Sequence, residues 1–265
     1  RGRELPIFME VNPGVYTPGQ TTAGARLMPA FALVRPTFSV AKSQYDSLQA
    51  SLRMRPTHGV NFLASYTLGH AMDHVSGLNI GGESRPVMAV DMNNPSTIDQ
   101  ALTYEWADAL FDVRHRFVFS FGVALPEFAS ENAFVKYVLG GWQFNGIYQA
   151  QTGFPLSVTD STLTITYLTN RPDATCDPNA AAPHTVDQWF DTSCFVRRSG
   201  SATGDRPGNA GRNSIRGPGF QSTDLSLFKT INVHDNQRLQ LRIEGFNIFN
   251  NIRFNNPSGA IGTAN

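Results

Sequence analysis

The sequence has no apolar run approaching the 18 or more residues that a membrane-spanning helix requires. A helical membrane protein is thereby excluded, and strands remain as the only way such a chain could cross a bilayer. Cysteine is nearly absent: Cys176 and Cys194 are the only two among 265 residues, and they lie in a stretch rich in Pro, Asp, Ala and Thr. Their spacing suits neither a metal knuckle nor a CxxC redox motif. The simplest reading is a local disulfide that closes a loop, contributing about 3 kcal/mol through loop entropy and implying an oxidising compartment; two free thiols in a cytosolic protein are the alternative. An excess of charge is missing too, since 21 basic residues balance 21 acidic ones. No broad positive field exists to attract nucleic acid, and no nucleic-acid partner is expected. The sequence lacks an initiator Met, and Arg1-Gly2-Arg3-Glu4 does not open a signal peptide. The chain is expected to begin inside a longer protein.

Turn formers and aromatics are plentiful. The 23 glycines and 16 prolines interrupt the chain too often for a helical bundle, and 19 Phe, 7 Tyr and 3 Trp are interleaved with polar residues, as on strands with one apolar face. Residues 1–36 read as loop with a short strand near 5–11. Over 37–55, Leu48, Ala50, Leu52 and Met54 alternate with Ser47, Gln49, Ser51, Arg53 and Arg55, a period of two. A tight turn at Pro56-Thr57-His58-Gly59 leads into Val60, Phe62, Ala64, Tyr66 and Leu68, which repeat the pattern against Asn61, Ser65 and Thr67. A long polar connection over 69–112 is expected to hold a short helix within 97–110. At 114–126, His115, Phe117, Phe119, Phe121, Val123 and Leu125 oppose Arg114, Arg116, Ser120, Gly122 and Ala124. At 141–152, Trp142, Phe144, Gly146, Tyr148 and Ala150 oppose Gln143, Asn145, Gln149 and Gln151. A row of carboxamides is costly in a dry core and suits a water-filled lumen.

A brief strand or helical turn is expected at 134–139, and 154–159 is expected to extend or restart the 141–152 strand, continuing towards 168. The longest irregular region, 169–220, follows. Two final strands near 221–230 and 238–244 flank a turn at 234–237, the second alternating Arg238, Gln240, Arg242 and Glu244 with Leu239, Leu241 and Ile243. Long connections thus alternate with shorter ones at 56–59, 127–140 and 234–237. Outer-membrane barrels sort their loops in this way, with short periplasmic turns and long extracellular loops, whereas a soluble β-sandwich has no reason to. The fold expected is all-β: a partial antiparallel transmembrane barrel, an open sheet of about six to eight long strands.

Candidate sites are sparse. The glycine-rich 204–219 stretch, with Arg206, Arg212 and Arg216, lacks the preceding strand and following helix of a phosphate loop, and reads as a rigid turn into the next strand. His70, Asp73 and His74 have a spacing that could gather metal ligands, but a strand gives way to a loop there and polar residues are expected anyway. Asp91, Asn93, Asn94 and Asp99 lack an EF-hand pattern and read as a solvated loop. Asp112, Arg114, His115 and Arg116 form the densest polar set, with no serine or cysteine paired to the histidine. No catalytic residue, metal or cofactor is assigned, and the chain is not expected to be an enzyme. Arg53, Arg55, Arg114, Arg116, Gln143, Asn145, Gln149, Arg242 and Glu244 are expected to face the lumen, there to pair charges or hold a plug by charge-assisted hydrogen bonds; simple solvation is the alternative.

Five segments carry a family resemblance: Phe111-Asp112-Val113-Arg114-His115-Arg116-Phe117; Gly140-Gly141-Trp142-Gln143-Phe144-Asn145-Gly146-Ile147; Gln151-Thr152-Gly153-Phe154-Pro155; Arg212-Asn213-Ser214-Ile215-Arg216-Gly217-Pro218-Gly219-Phe220; and Arg242-Ile243-Glu244-Gly245-Phe246-Asn247-Ile248-Phe249-Asn250. Together, and in this order, they resemble the C-terminal part of the barrel of TonB-dependent, Oar-like outer-membrane receptors, which also carry a carboxypeptidase-regulatory-like domain and a plug. The resemblance implies a bacterial outer membrane, a barrel of about 22 strands, and partners in membrane lipid, the rest of the barrel and plug, and the TonB complex through regions N-terminal to this chain. It implies transport of an unidentified substrate. A non-transporting surface binding or adhesion module is the alternative. The chain is expected to be a partial barrel domain over 1–265, truncated at both ends, with long loops at 69–112 and 169–220.

Overall fold

The computed structural model describes residues 1–13, 26–77, 88–126, 138, 140–160, 171–197, 208–234 and 237–261. Eight strands make one sheet: β1 (Gly2–Phe8), β2 (Thr37–Thr57), β3 (Val60–Asp73), β4 (Ala107–Asp108), β5 (His115–Ala124), β6 (Trp142–Gln151), β7 (Phe220–His234) and β8 (Gln237–Gly245). Their order is β1-β2-β3-β5-β6-β7-β8, every neighbouring pair antiparallel, with β4 pairing the far end of β3 above β5. Among the described residues β1 and β8 each have one paired edge, so the sheet is open.

Register explains why these sequences pair. Residues directly opposite in an antiparallel ladder share a face. The rows Leu52–Ala64–Phe119–Tyr148–Thr223 and Met54–Phe62–Phe121–Gly146–Leu225–Gly245 therefore run across one side. Asn61–Gly122–Asn145–Ser226–Glu244 runs across the other. A slip by one residue would move every phenylalanine of β5 to the polar face, so the alternation itself fixes the register. Gly122 leaves room for the flanking carboxamides, because a Cβ there would lie 2.9 Å from Asn61 Nδ2 and 3.0 Å from Asn145 Oδ1 and would displace them.

The β2–β3 turn places His58 and Gly59 at φ 51° and 82°, the left-handed pair that a two-residue hairpin demands. Gly59 has no alternative, since a Cβ would stand 2.2 Å from the Ala124 carbonyl oxygen. β5 and β6 are ten residues each. Ten residues at about 3.3 Å each, tilted 35–45°, rise about 25 Å, the height of an outer-membrane apolar band. β2 has 21 residues and β3 has 14, so both overshoot that height at the end that carries the long connections.

The buried core lies at that end, among those connections and the adjoining parts of β1 and β2. One cluster joins Ile7, Met9, Ala41, Val90 and Ala101; a second joins Leu156, Val158, Phe190, Phe195, Ala210 and Ile215. The short helix expected within 97–110 is α1, Ser96–Glu105; it ends there because Trp106 turns to extended backbone and β4 pairs with Met72 and Asp73. Two expectations change here. The strand expected from 154 is not an extension of β6: Pro155–Leu156 pairs with Ile215–Arg216, and Thr159–Asp160 pairs in parallel with Ala260–Ile261. Gly153 permits this departure by passing under the Gly217 carbonyl, which a Cβ would approach to 2.0 Å. The 169–220 stretch, read as irregular, holds a small ribbon of Asp173–Ala174 with Phe195–Val196. Residues 161–168, and 134–139 apart from 138, lie outside the described residues.

Candidate functional site

The polar residues gather at the long-connection end. Asp112 is 1% exposed; its Oδ1 accepts the Ala71 N–H at 2.6 Å, and its Oδ2 receives Arg216 Nη2 at 2.7 Å and Arg114 Nε at 3.0 Å. Asp108 shares both arginines: Arg114 Nη2 lies 2.8 Å from Oδ1 and Arg216 Nη2 2.8 Å from Oδ2, while His70 Nε2 bonds Oδ1 at 3.0 Å. Burial alone would raise the pKa of Asp108, but Arg114, His70 and Arg216 outweigh it and hold the carboxyl below its ordinary value. Arg216 also donates through Nη1 to the carbonyls of Gly153 and Asp112.

A second knot lies beside the first. Arg212 donates to Asp73 Oδ1 at 2.5 Å and to the Glu105 carbonyl at 3.0 Å; Arg171 Nη2 reaches Glu105 Oε1 at 2.9 Å and its guanidinium lies 4.1 Å over the Tyr104 ring. Asn213, at φ 53°, donates to the Asp108 carbonyl and exchanges hydrogen bonds with Ser157. The segment around Asp112 and Arg114 and the segment from Arg212 to Gly219 therefore meet, although about a hundred residues separate them: Arg216 is 104 positions from Asp112. Gly217 and Gly219 let that second segment lie close, since a Cβ would approach Asn256 Oδ1 to 2.1 Å or the Gln151 carbonyl to 2.5 Å; Pro218 stands between them.

Each of the three candidate metal ligands has a partner within the protein. His70 is bonded to Asp108, Asp73 to Arg212, and His74 Nδ1 accepts the Lys42 N–H at 2.9 Å. Burial first, then Lys42 and Arg212, lowers the His74 pKa to about 4. Of the glycine-rich arginines, Arg212 and Arg216 are committed to carboxylates, and Arg206 lies outside the described residues. Cys176 and Cys194 are joined by a disulfide. Asp191 caps the short 3-10 turn Thr192–Cys194 beside it through the Ser193 N–H and hydroxyl.

The remaining expected lumen residues are spread along the wall. Register puts Arg53, Arg116, Gln143, Asn145, Gln149, Arg242 and Glu244 on the polar face. Arg55 falls within a break in the β2–β3 register. Arg242 lies 5.0 Å over the Phe228 ring and donates to Gln240. Arg114 departs from the group, because it precedes β5 and works at the rim with Asp108 and Asp112. Gly141, at φ 71°, and Trp142 begin β6; Asn247, at φ 47°, accepts from Asn251 and receives support from Asp224, and Phe246 is exposed. Sequence reasoning missed Glu105, Asp108 and Arg171. No local signal in the sequence marked them.

The opposite face has the reverse character. Leu52 is 63% exposed and Ile243 70%, with Leu48, Phe144, Leu239 and Leu241 also open, an apolar area far beyond what a soluble monomer leaves to water. Two polar fringes bound it. At the long-connection end Tyr66 Oη pairs with His115 Nδ1 at 2.7 Å and Tyr148 Oη donates to Gln221 Oε1 at 3.0 Å. At the short-turn end the Lys229 ammonium lies 5.1 Å over the Trp142 ring and bonds the Gly140 carbonyl. No described helix is long and apolar enough to cross a membrane. A family model described as "Outer membrane beta barrel domain" matches residues 1–265.

The chain belongs to this family. The barrel domain resides in the bacterial outer membrane, and its apolar face is the side that such a wall turns to lipid. No curated protein and no solved structure matches the chain.

Proposed function

We propose that this barrel domain forms wall and extracellular loops of a TonB-dependent, Oar-like transporter of unidentified substrate, and that it has no catalytic role. One observation carries the reading: a carboxamide- and hydroxyl-rich face lies behind an apolar wall whose long-loop end is locked into an ordered cap by buried ion pairs. On this reading, surrounding lipid covers the apolar face, further strands of the same barrel pair with β1 and β8, and a plug rests against the polar face. The TonB contact belongs to a region N-terminal to these residues. The five ordered sequence segments support the same assignment.

The test is a channel recording on the full-length protein in planar bilayers, together with binding of the purified TonB periplasmic domain. The expected result is a closed barrel that binds TonB and conducts only after the plug is removed. A full-length protein that neither binds TonB nor contains a plug would end the transport reading. A second reading, a surface binding or adhesion module, draws support from the disulfide-braced cap. Cell-surface binding retained without TonB would favour it.

A further inference from the structure

The β1–β2 hairpin continues past its ladder. Met9 donates to the Pro36 carbonyl and Val11 to that of Val34, and the loop above this stem carries Leu27-Met28-Pro29-Ala30-Phe31-Ala32-Leu33. None of these seven side chains is polar, and all seven residues are exposed, Leu27 by 62% and Phe31 by 61%. An exposed run of even three or four apolar residues is unfavourable in water unless it serves an interaction. Two buried polar side chains hold the run in shape. Asn12, with no exposed surface, donates through Nδ2 to the carbonyls of Met28, Phe31 and Ala32 at 3.1, 3.1 and 2.8 Å, and accepts the Met28 N–H at 2.6 Å. Glu10, also buried, accepts the N–H groups of Asn12 and Val34 and pairs with Arg35. Pro29 has no N–H, and those of Leu27 and Phe31 go to the carbonyls of Pro13 and Met28.

Apolar side chains outside and backbone groups met from inside together select a partner. A protein interface carries about one hydrogen bond per 100–200 Å² and draws its strongest contacts from Trp, Tyr and Arg, whereas this run offers no hydrogen-bonding side chain. Hydrocarbon asks for what the run has: apolar side chains over a backbone whose polar groups do not depend on water. Height excludes the bilayer that holds the wall. Leu48 lies in the row Leu48–Leu68–His115 at the upper fringe, and β2 runs eleven residues beyond it to Thr37, a rise of about 28 Å at about 3.3 Å per residue and 40° of tilt. The headgroup layer of a phospholipid is only about 5–7 Å deep.

We propose that the 27–33 loop inserts into an apposed lipid bilayer, that of a neighbouring cell or vesicle, and tethers it to the membrane in which the wall resides. Leu27 and Phe31 enter the hydrocarbon, and Asn12 keeps the loop's carbonyls paired as water is left behind. The proposal is independent of transport and rests only on the placement of the wall.

The full-length protein in nanodiscs is mixed with phosphatidylcholine vesicles, and the fraction that floats with them on a density gradient is measured against lipid concentration. The wild type is expected to float, and the Leu27→Ser/Phe31→Ser pair to bind about tenfold or more weakly. Val186→Ser, which changes an apolar residue 81% exposed on the disulfide loop, is expected to bind as the wild type does. A wild type that stays behind, or an undiminished double variant with a wild-type circular dichroism spectrum, overturns the proposal. Vesicles containing phosphatidylglycerol should bind no better, because the run is uncharged; binding to these alone assigns the attraction to basic side chains and overturns insertion. Hydroxyl-radical oxidation of Met28, read by peptide mass spectrometry, tests what covers the loop. Met28 is expected to oxidise in the nanodisc alone and to be protected once vesicles are added. Protection before any vesicle is present means that another part of the same protein covers the loop, and it overturns the proposal while leaving the wall intact.

Discussion

The wall and the cap solve the problem of stability in opposite ways. In the wall, large apolar side chains such as Leu48, Leu52, Leu241 and Ile243 stand exposed, and backbone hydrogen bonds between strands carry the order; lipid must supply what a core would. In the cap, the same chain buries Ile7, Met9, Val158 and Ile215 and neutralises its charges in pairs with little water around them. The wall is specified by a repeat of two and tolerates change on its polar face. The cap is specified by individual partners and tolerates little.

That contrast breaks most visibly at Arg212. Replacing it by alanine takes the guanidinium from buried Asp73 and leaves buried Glu105 with Arg171 alone, and should cost about 3–5 kcal/mol, read as early loss of cap protection in hydrogen exchange while β5 and β6 stay protected. Next comes Leu52→Arg on the outer face, expected to cost about 2–4 kcal/mol near the band's middle. Ser65→Arg on the polar face of β3 should change stability by less than about 1 kcal/mol. Folding titrations into vesicles measure both, and equal costs on the two faces would undo the assignment of sides. Reduction of Cys176–Cys194 should then cost about 3 kcal/mol, confined to the cap and read by protease cutting within 176–194 with the strands intact.

The cap alone should also show a pH dependence. His74 has a folded pKa near 4 against 6.5 for the free side chain. Between those values the unfolded chain takes up a proton that the folded cap refuses, so the cap should weaken as pH falls from about 6.5 towards 4. His74→Gln should flatten this window. Asp108 acts lower down: its depressed pKa stabilises the fold above the ordinary carboxylate range, and that contribution should fade only as pH drops below about 4. A cap equally stable at pH 7 and pH 4.5 would contradict the burial of His74.

The same contrast governs what was legible in the sequence. Alternation placed β2, β3, β5, β6, β7 and β8 to within a few residues and put Phe117, Phe119 and Phe121 on one face, because a period-two pattern is a local property that side-chain burial must obey. The cap was opaque because its determinants are pairs. Nothing near Arg216 announces Asp112, and nothing near Arg171 announces Glu105. Arg114 looked like a wall residue by parity, yet it stands just before β5 and turns to two carboxylates. The short pairing of Leu156 with Ile215 is too brief to leave a pattern.

The link between residues 153–160 and the chain beyond β8 has a kinetic consequence. Asn256 Nδ2 bonds the Pro155 carbonyl across 101 positions, close to where Ala260–Ile261 lies along Thr159–Asp160. The β2–β3 hairpin, by contrast, closes over two residues. Loops of that length are slow to shut, and contacts between distant segments form only after nearby ones have restricted the search. Hairpins should therefore zip first, and the mouth should set last, after the strand that precedes its final fastening has found its neighbour.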